Sequence, residues 1–316
     1  MAFGDLNRVN TNVQSLDAQL SLNRVNRDLA NSRERLTTGK KINKAEDNAA
    51  GYSIATKLKS RVAGLEQSLQ NVGDAKSVLD ITESSFDIVM DSLIEMKSLA
   101  TQAANDTLGS TERGYIGDQI KAIGSDINEI ANQTVYQDTE LLNGTDNSGS
   151  ITLTFQTGER QEDTITATIN AVNVGELFAA SGDASLGATT SAGGGAASGG
   201  AISVTSATAS DKGTFTFAST ATAADFNAFI SAVDTAIDTM ATNVNTIGIT
   251  QSSLTLREDT LSESISATQS AKSRIMDTDF AKEQSESVRL QILQQTATSA
   301  LAQANNGPQA VLGFIG

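Results

Sequence analysis

The chain has 316 residues, room for two or three domains, and contains no Cys and no His. Thiol nucleophiles, imidazole bases and the commonest metal ligands are excluded together, and with them disulfides, a Ser-His-Asp triad and a zinc site of the usual kind. A net charge of −15 argues against nucleic acid as a partner, although residues 1–44 carry eight bases against four acids, a balance of +4.

The single proline is Pro308, so the 307 residues before it permit very long helices. Leu6, Val9, Val13, Leu16 and Leu20 fall on one helical stripe, and Leu22, Val25, Leu29 and Leu36 on another. The slip between Leu20 and Leu22 turns the apolar face around the helix. The N-terminal bases alternate with Leu and Val at helical spacing, which reads as a solvated or partner-facing side rather than a nucleic-acid arm. From Leu58 the apolar positions run Val62, Leu65, Leu69, Val72, Ala75, Leu79, then Phe86, Val89, Leu93, Met96, Ala100 and Ala103, with only Thr82 polar in the series. Every step is three or four residues. That is a heptad seam, and it predicts a helix of roughly 70 Å. A break at Leu108-Gly109-Ser110 precedes Ile116, Ile120, Ile123, Ile127 and Ile130, predicting an antiparallel helical hairpin.

The middle changes period. Ile151–Phe155 and Thr164–Ile169 alternate with period two and predict a β-hairpin. Gly193–Gly200 reads as a flexible connector, and no Lys-Ser/Thr follows it to make a phosphate loop. Val204 and Thr214–Phe217 suggest further short strands, so a small β-rich module is expected over 173–220. A third helical series runs Phe226, Ile230, Val233, Ile237, Met240, Val244, Ile247, then Leu254, Leu261, Ile265 and Ile275, with Thr222-Ala223-Ala224-Asp225 as a capping box ahead of it.

At the far end, Leu290, Leu293, Ala297, Ala300 and Ala304 share a stripe, with Val288, Ile292 and Leu301 nearby. No charged side chain follows Arg289. A neutral, Ala-rich amphipathic helix suits packing among copies of itself, and a helix apolar on more than one side wants more than one neighbour. Ordering the first 44 residues costs on the order of 44–88 kcal/mol of backbone entropy, against roughly 25 kcal/mol from burying about a dozen large side chains. An arm of this kind is expected to order by association. No apolar run opens the chain, so no secretory signal peptide is expected, and no stretch approaches the roughly 20 apolar residues of a membrane span.

Two ordered runs carry a resemblance. Arg35-Leu36-Thr37-Thr38-Gly39-Lys40-Lys41-Ile42-Asn43-Lys44-Ala45-Glu46-Asp47-Asn48-Ala49-Ala50-Gly51 resembles R-L-S-S-G-x-R-I-N-x-A-x-D-D-A-A-G of the bacterial flagellin family, with Lys41 for Arg and Asn48 for Asp. Ser273-Arg274-Ile275-Met276-Asp277-Thr278-Asp279-Phe280-Ala281 is similar to S-R-I-x-D-x-D-[FY]-A. Gln291-Ile292-Leu293-Gln294-Gln295 and Leu301–Gln309 complete the pattern, and the likeness covers residues 5–145 and 225–316.

The resemblance implies a mainly α fold: a long antiparallel coiled-coil bundle from the N- and C-terminal halves, with a β-hairpin and an inserted outer β module. It implies an inner polymerisation domain (1–44 and 276–316), a rod-like helical domain (45–172 and 221–275) and a variable surface module (173–220). It implies a non-enzymatic filament subunit without cofactors, located in the extracellular flagellum and exported unfolded through the flagellar channel. Partners would be further copies of the chain, an export chaperone, the filament cap and the hook-junction proteins, with no nucleic acid and no membrane insertion. The polymerisation surface would be Leu6, Val9, Val13, Leu16, Leu20, Leu29, Leu36, Val288, Leu290, Ile292, Leu293 and Leu301. Many family members carry L-Q-R-V-R-E-L-A, which serves subunit stacking and is read by an animal innate immune receptor. Here Leu93-Ile94-Glu95-Met96-Lys97-Ser98-Leu99-Ala100 stands in its place. Glu95 reverses a positive charge, which predicts weak receptor activation. Stacking could survive through Leu93, Met96 and Leu99, or Leu93 and Met96 could be seam residues only.

Asp277 and Asp279 lack the third acid and the Gly of a calcium loop, so helix capping or salt bridging is expected of them. Two other functions fit the sequence less well: a hook–filament junction protein of the same superfamily, and a secreted adhesin using the β module.

Overall fold

A computed structural model of the chain describes residues 12–143, 149–179, 202–205, 213–218 and 221–315, with side chains described to residue 306. The chain divides into two compact units, residues 1–63 with 264–316 and residues 64–263. The division falls at 63/64 and 263/264, so the unit that holds both chain ends is larger than the 1–44 and 276–316 expected from sequence.

In the terminal unit, α1 (Val13–Thr38) pairs with α6 (Phe280–Ile315). The pair is antiparallel: Asn12 Nδ2 donates to the Ala304 carbonyl at 2.8 Å, and Gln294 Nε2 to Asn26 Oδ1 at 2.7 Å. Asn12 caps α1 by accepting the Ser15 N–H, and Gly39 ends it with φ +69°, a left-handed conformation that glycine adopts without strain. The loop after Gly39 is tied back by backbone bonds from Lys41 to Met276 and from Thr278 to Gly39. Asn48 Oδ1 accepts the Gly51 N–H and caps α2 (Ala49–Ala103), which begins in this unit. Asp279 Oδ1 accepts the Ala281 and Lys282 N–H groups and caps α6, one of the two roles expected of it.

The second unit contains the rest of α2, α3 (Ser110–Gln133), the short pair β1 (Val135–Tyr136) and β2 (Thr139–Glu140), the hairpin β3 (Ser150–Gln156) and β4 (Thr164–Asn170), α4 (Val174–Ala179), the pair β5 (Ile202–Thr205) and β6 (Thr214–Phe217), and α5 (Ala223–Met276) as far as Glu263. All three strand pairs are antiparallel, and β3–β4 sets Ile151 opposite Ile169 and Phe155 opposite Ile165. Helices α2 and α5 also run antiparallel here: Lys76 pairs with Glu258, Gln251 Nε2 donates to Asp80 and Glu83, and Lys97 pairs with Asp234. The seam is the core. Val72, Ala75, Leu79, Phe86, Val89, Leu93, Met96, Ala100 and Ala103 are wholly buried, and Leu58 and Leu69 are half-buried. Thr82, the polar residue in the series, is also buried and donates its hydroxyl to the Val78 carbonyl at 2.9 Å. At the start of α5 the Asp225 carboxylate accepts both the N–H and the hydroxyl of Thr222.

The segment 173–220 is not a separate module where it is described. Phe178 and Phe215 are buried; the rings of Phe178, Phe215 and Phe229 contact one another, and Phe217 joins Phe215 and Phe229 to Phe226. The buried side chain of Asn128 on α3 pins the segment twice, donating to the Gly213 carbonyl at 2.8 Å and accepting the Val174 N–H at 3.0 Å. Phe178, Phe215, Phe226 and Phe229 are thus buried in the second unit's core, where their apolar area is removed from water, and Phe217 is half-buried. The glycine-rich connector over 193–200 lies outside the described residues.

Candidate functional site

The terminal unit presents two kinds of apolar side chain. Leu29 on α1 and Leu290 on α6 are buried between the two helices, beside the buried hydroxyls of Ser32 and Ser287, and Leu36 and Leu301 are half-buried. Leu16 and Leu20 on α1, and Val288, Ile292 and Leu293 on α6, instead stay 39–58% exposed. The helical geometry explains the split. At 100° per residue, Leu22, Val25, Leu29 and Leu36 cluster on the α6 side of α1, whereas Leu16 and Leu20 point nearly the opposite way. The slip between the two stripes thus separates a face covered within the chain from one left open. Val13 is half-buried, and Leu6 and Val9 lie outside the described residues.

The sequence reading missed part of this exposed set. Tyr52 and Ile54 near the start of α2 and Phe280 at the start of α6 are 40%, 51% and 59% exposed. The usable signal was that Tyr52 and Ile54 precede the heptad seam that begins at Leu58.

Electrostatics leave the face on α6 nearly neutral. Beyond Arg289, which pairs with Glu286 one turn back, no charge follows. That pair holds the Glu286 carboxyl below and the Arg289 guanidinium above their ordinary pKa values. The loop between α1 and α2 is polar by contrast. The Asp47 carboxylate accepts the N–H groups of Lys44 and Asn43, which lower its pKa, and Arg35 lies 4.0 Å away.

The second group of predicted residues divides differently, and burial fits the seam alternative for two of them. Leu93 and Met96 are wholly buried in the α2 seam of the second unit, so neither can face another molecule while that unit is folded. Heptad packing claims both. Glu95 is exposed, Leu99 is half-buried, and half-buried Lys97 is held by Asp234 at 2.5 Å. Among the described residues no group of three or more His, Cys, Asp or Glu could hold a metal ion, and no helix is long and apolar enough to cross a membrane.

The chain is similar to known proteins. Residues 9–147 match the bacterial flagellin N-terminal helical region, and residues 230–315 match the C-terminal helical region. Flagellin of Bacillus subtilis is 30% identical, over 98% of this chain and 99% of that protein. Flagellin B of Vibrio cholerae serotype O1 is 29% identical over the same shares. A solved structure described as a flagellar hook-associated protein from Vibrio parahaemolyticus shares the fold, with a TM-score of 0.53 and 15% identity over 73% of this chain and all of that one. The two end-to-end helical regions, the runs Arg35–Gly51 and Ser273–Ala281, and near-complete alignment with flagellins lead to one assignment: the chain belongs to the bacterial flagellin family.

Proposed function

We propose that the apolar side chains left open on α1 and α6 are the surfaces through which copies of this chain polymerise into a flagellar filament. The observation that carries the reading is that Leu16, Leu20, Val288, Ile292 and Leu293 remain 39–58% exposed on helices otherwise packed against each other. Covering five half-exposed side chains of this size offers on the order of 5 kcal/mol per subunit. The uncharged stretch after Arg289 lets helices from several copies approach without desolvating charge. The family is structural, and a chain without Cys or His offers no thiol or imidazole for catalysis.

The same surfaces serve the finer roles that family resemblance suggests: docking of an export chaperone on the C-terminal arm before assembly, and of cap and hook-junction proteins at the filament ends. Export through the flagellar channel follows from the same resemblance.

Val288→Asn with Ile292→Asn tests the reading. Both side chains are exposed, so the monomer should keep its circular dichroism and melting temperature. The critical concentration for seeded assembly should rise at least about tenfold, the effect of losing roughly 1.4 kcal/mol per contact. Unchanged filament growth by the variant would reject the surface. Electron microscopy of the heated and seeded wild-type protein separates a filament subunit, which gives long filaments, from a junction protein, which gives short rings.

A further inference from the structure

Some of the described cations are ion-paired and others are not. Arg35, Lys44, Lys76, Lys97, Arg113 and Arg289 each lie within 4.0 Å of a carboxylate. Lys40, Lys59 and Lys272 do not. These three line one open cavity of about 340 Å³ in the terminal unit, together with Asn43, Tyr52 and Asp277. Among the described residues none of the three lysines has an ion-pair partner, and Lys272 Nζ donates to an amide oxygen, Gln269 Oε1, at 3.2 Å. Three lysines against one carboxylate, Asp277, give the lining of this cavity an excess of positive charge.

The second unit carries the opposite imbalance. Asp87, Asp91 and Glu95 are spaced four residues apart on one side of α2, all exposed. None has a cation or hydrogen-bond partner among the described residues. Like charges at that spacing repel along the helix and span about 12 Å. The imbalance extends to the whole units: residues 1–63 and 264–316 hold fifteen Lys and Arg against ten Asp and Glu, a balance of +5, whereas residues 64–263 hold seven against twenty-seven, a balance of −20.

From these complementary charges we infer that the lysine-lined cavity of one copy receives the Asp87, Asp91 and Glu95 carboxylates of another copy. The inference rests on the filament reading above and adds to it a polar contact separate from the apolar surfaces. The contact offsets both charge imbalances at once and fixes which unit of one molecule meets which unit of the next. Contacts of this kind select partner and register more than they add raw affinity.

The test uses full-length protein and the critical concentration for seeded assembly, measured over a range of NaCl. Lys59→Glu with Lys272→Glu should raise it about tenfold at low ionic strength and much less in about 0.5 M salt, where exposed charges are screened within a few ångströms. Lys59→Gln, which removes one charge without reversing it, should give a smaller rise in the same direction. Adding Asp91→Lys and Glu95→Lys to the double lysine variant exchanges the signs on both sides and should restore assembly to within about threefold of wild type. An unchanged critical concentration for the lysine variants, or no recovery in the sign-exchanged chain, overturns the contact. So does saturable binding of inorganic phosphate to the monomer that Lys59→Gln abolishes while assembly is unaffected, since the cavity would then serve a small anion. If the unsubstituted chain forms no filaments, the filament reading itself falls, and the contact with it.

Discussion

The two units are built from the same kind of long amphipathic helix, yet one is closed and the other open. In the second unit, α2 meets α5 and the segments around α3, and the seam from Val72 to Ala103 is buried throughout. In the terminal unit, α1 has one described helical partner, α6, and Leu16 and Leu20 are left in water. The difference lies in the number of neighbours rather than in the hydrophobicity of the helices. A helix with apolar side chains on two sides and a partner on one has an unfinished core, and the finishing partner we propose is another copy.

Matched truncations probe that difference most strongly. Phe86→Ala empties a wholly buried seam position and should cost about 3–5 kcal/mol, read as a lower midpoint of thermal or urea unfolding of the monomer. Ile292→Ala removes a side chain of similar class that is 58% exposed, and should change monomer stability by less than about 0.5 kcal/mol. Equal losses from the two substitutions would mean that the terminal unit is as closed as its neighbour, and the comparison would fail.

A finer probe sets two glycines of the second unit against each other. A Cβ on Gly124 of α3 would lie 2.6 Å from the Phe215 ring, which is 1% exposed and wedged between Phe178 and Phe229. The ring cannot yield, so overpacking of about 1–3 kcal/mol outweighs the roughly 1 kcal/mol of helix propensity that alanine gains. Gly124→Ala should therefore destabilise the monomer. Gly73 on α2 has nothing within 4 Å of a Cβ, and Gly73→Ala should stabilise by about 0.5–1 kcal/mol. If both substitutions stabilise, the aromatic group is looser than its packing indicates, and the outer segment is held less firmly than Asn128 and the phenylalanines suggest.

The closed unit was easier to read from sequence than the open one. The α2 seam was legible because large apolar residues recur at heptad spacing and almost all of them are buried. The α5 series was less so. Ile230, Ile237 and Val244 are only half-buried, whereas Phe229, Ala232, Ala236 and Asn243, off the series, are buried. Helix α5 buries a wide stripe against several neighbours, and alanine carries too weak a hydrophobic signal to mark its edges. Asn128 was illegible for another reason: a lone Asn on a helix looks solvated until the two backbone groups it satisfies are in place. On the open unit the stripes were visible, but which one α6 covers depends on a segment more than 250 residues away. Leu93 and Met96 carried two readings, a short family pattern that suggested a surface and a heptad that placed them in the core, and they are buried.

The smallest effect concerns how the open unit is held with so little buried area. Part of the answer is polar, and it sits in the loop that the family pattern marks. Asp47 accepts the Asn43 and Lys44 N–H groups at 2.9 and 3.0 Å, and these bonds, with Arg35 nearby, keep its pKa below the ordinary carboxylate value. A pKa lowered in the folded state means that the ionised group contributes stability above its unfolded pKa of about 4, and that this contribution is lost as pH falls through the lower folded value. Acidification below about pH 4 should therefore loosen this loop, while the second unit's apolar seam has no carboxylate to lose. Asp47→Asn keeps the shape and one acceptor but removes the charge, and should cost about 0.5–1 kcal/mol at neutral pH because a charge-assisted bond becomes a neutral one. The local readout is the amide chemical shifts of Asn43 and Lys44. In the wild type they should titrate with a midpoint below that of an ordinary aspartate, and in the variant they should be flat over the same range. A wild-type midpoint at or above the ordinary value would show that the two N–H groups do not hold the carboxylate, and that the loop owes its order to the Ile42 side chain buried beneath it.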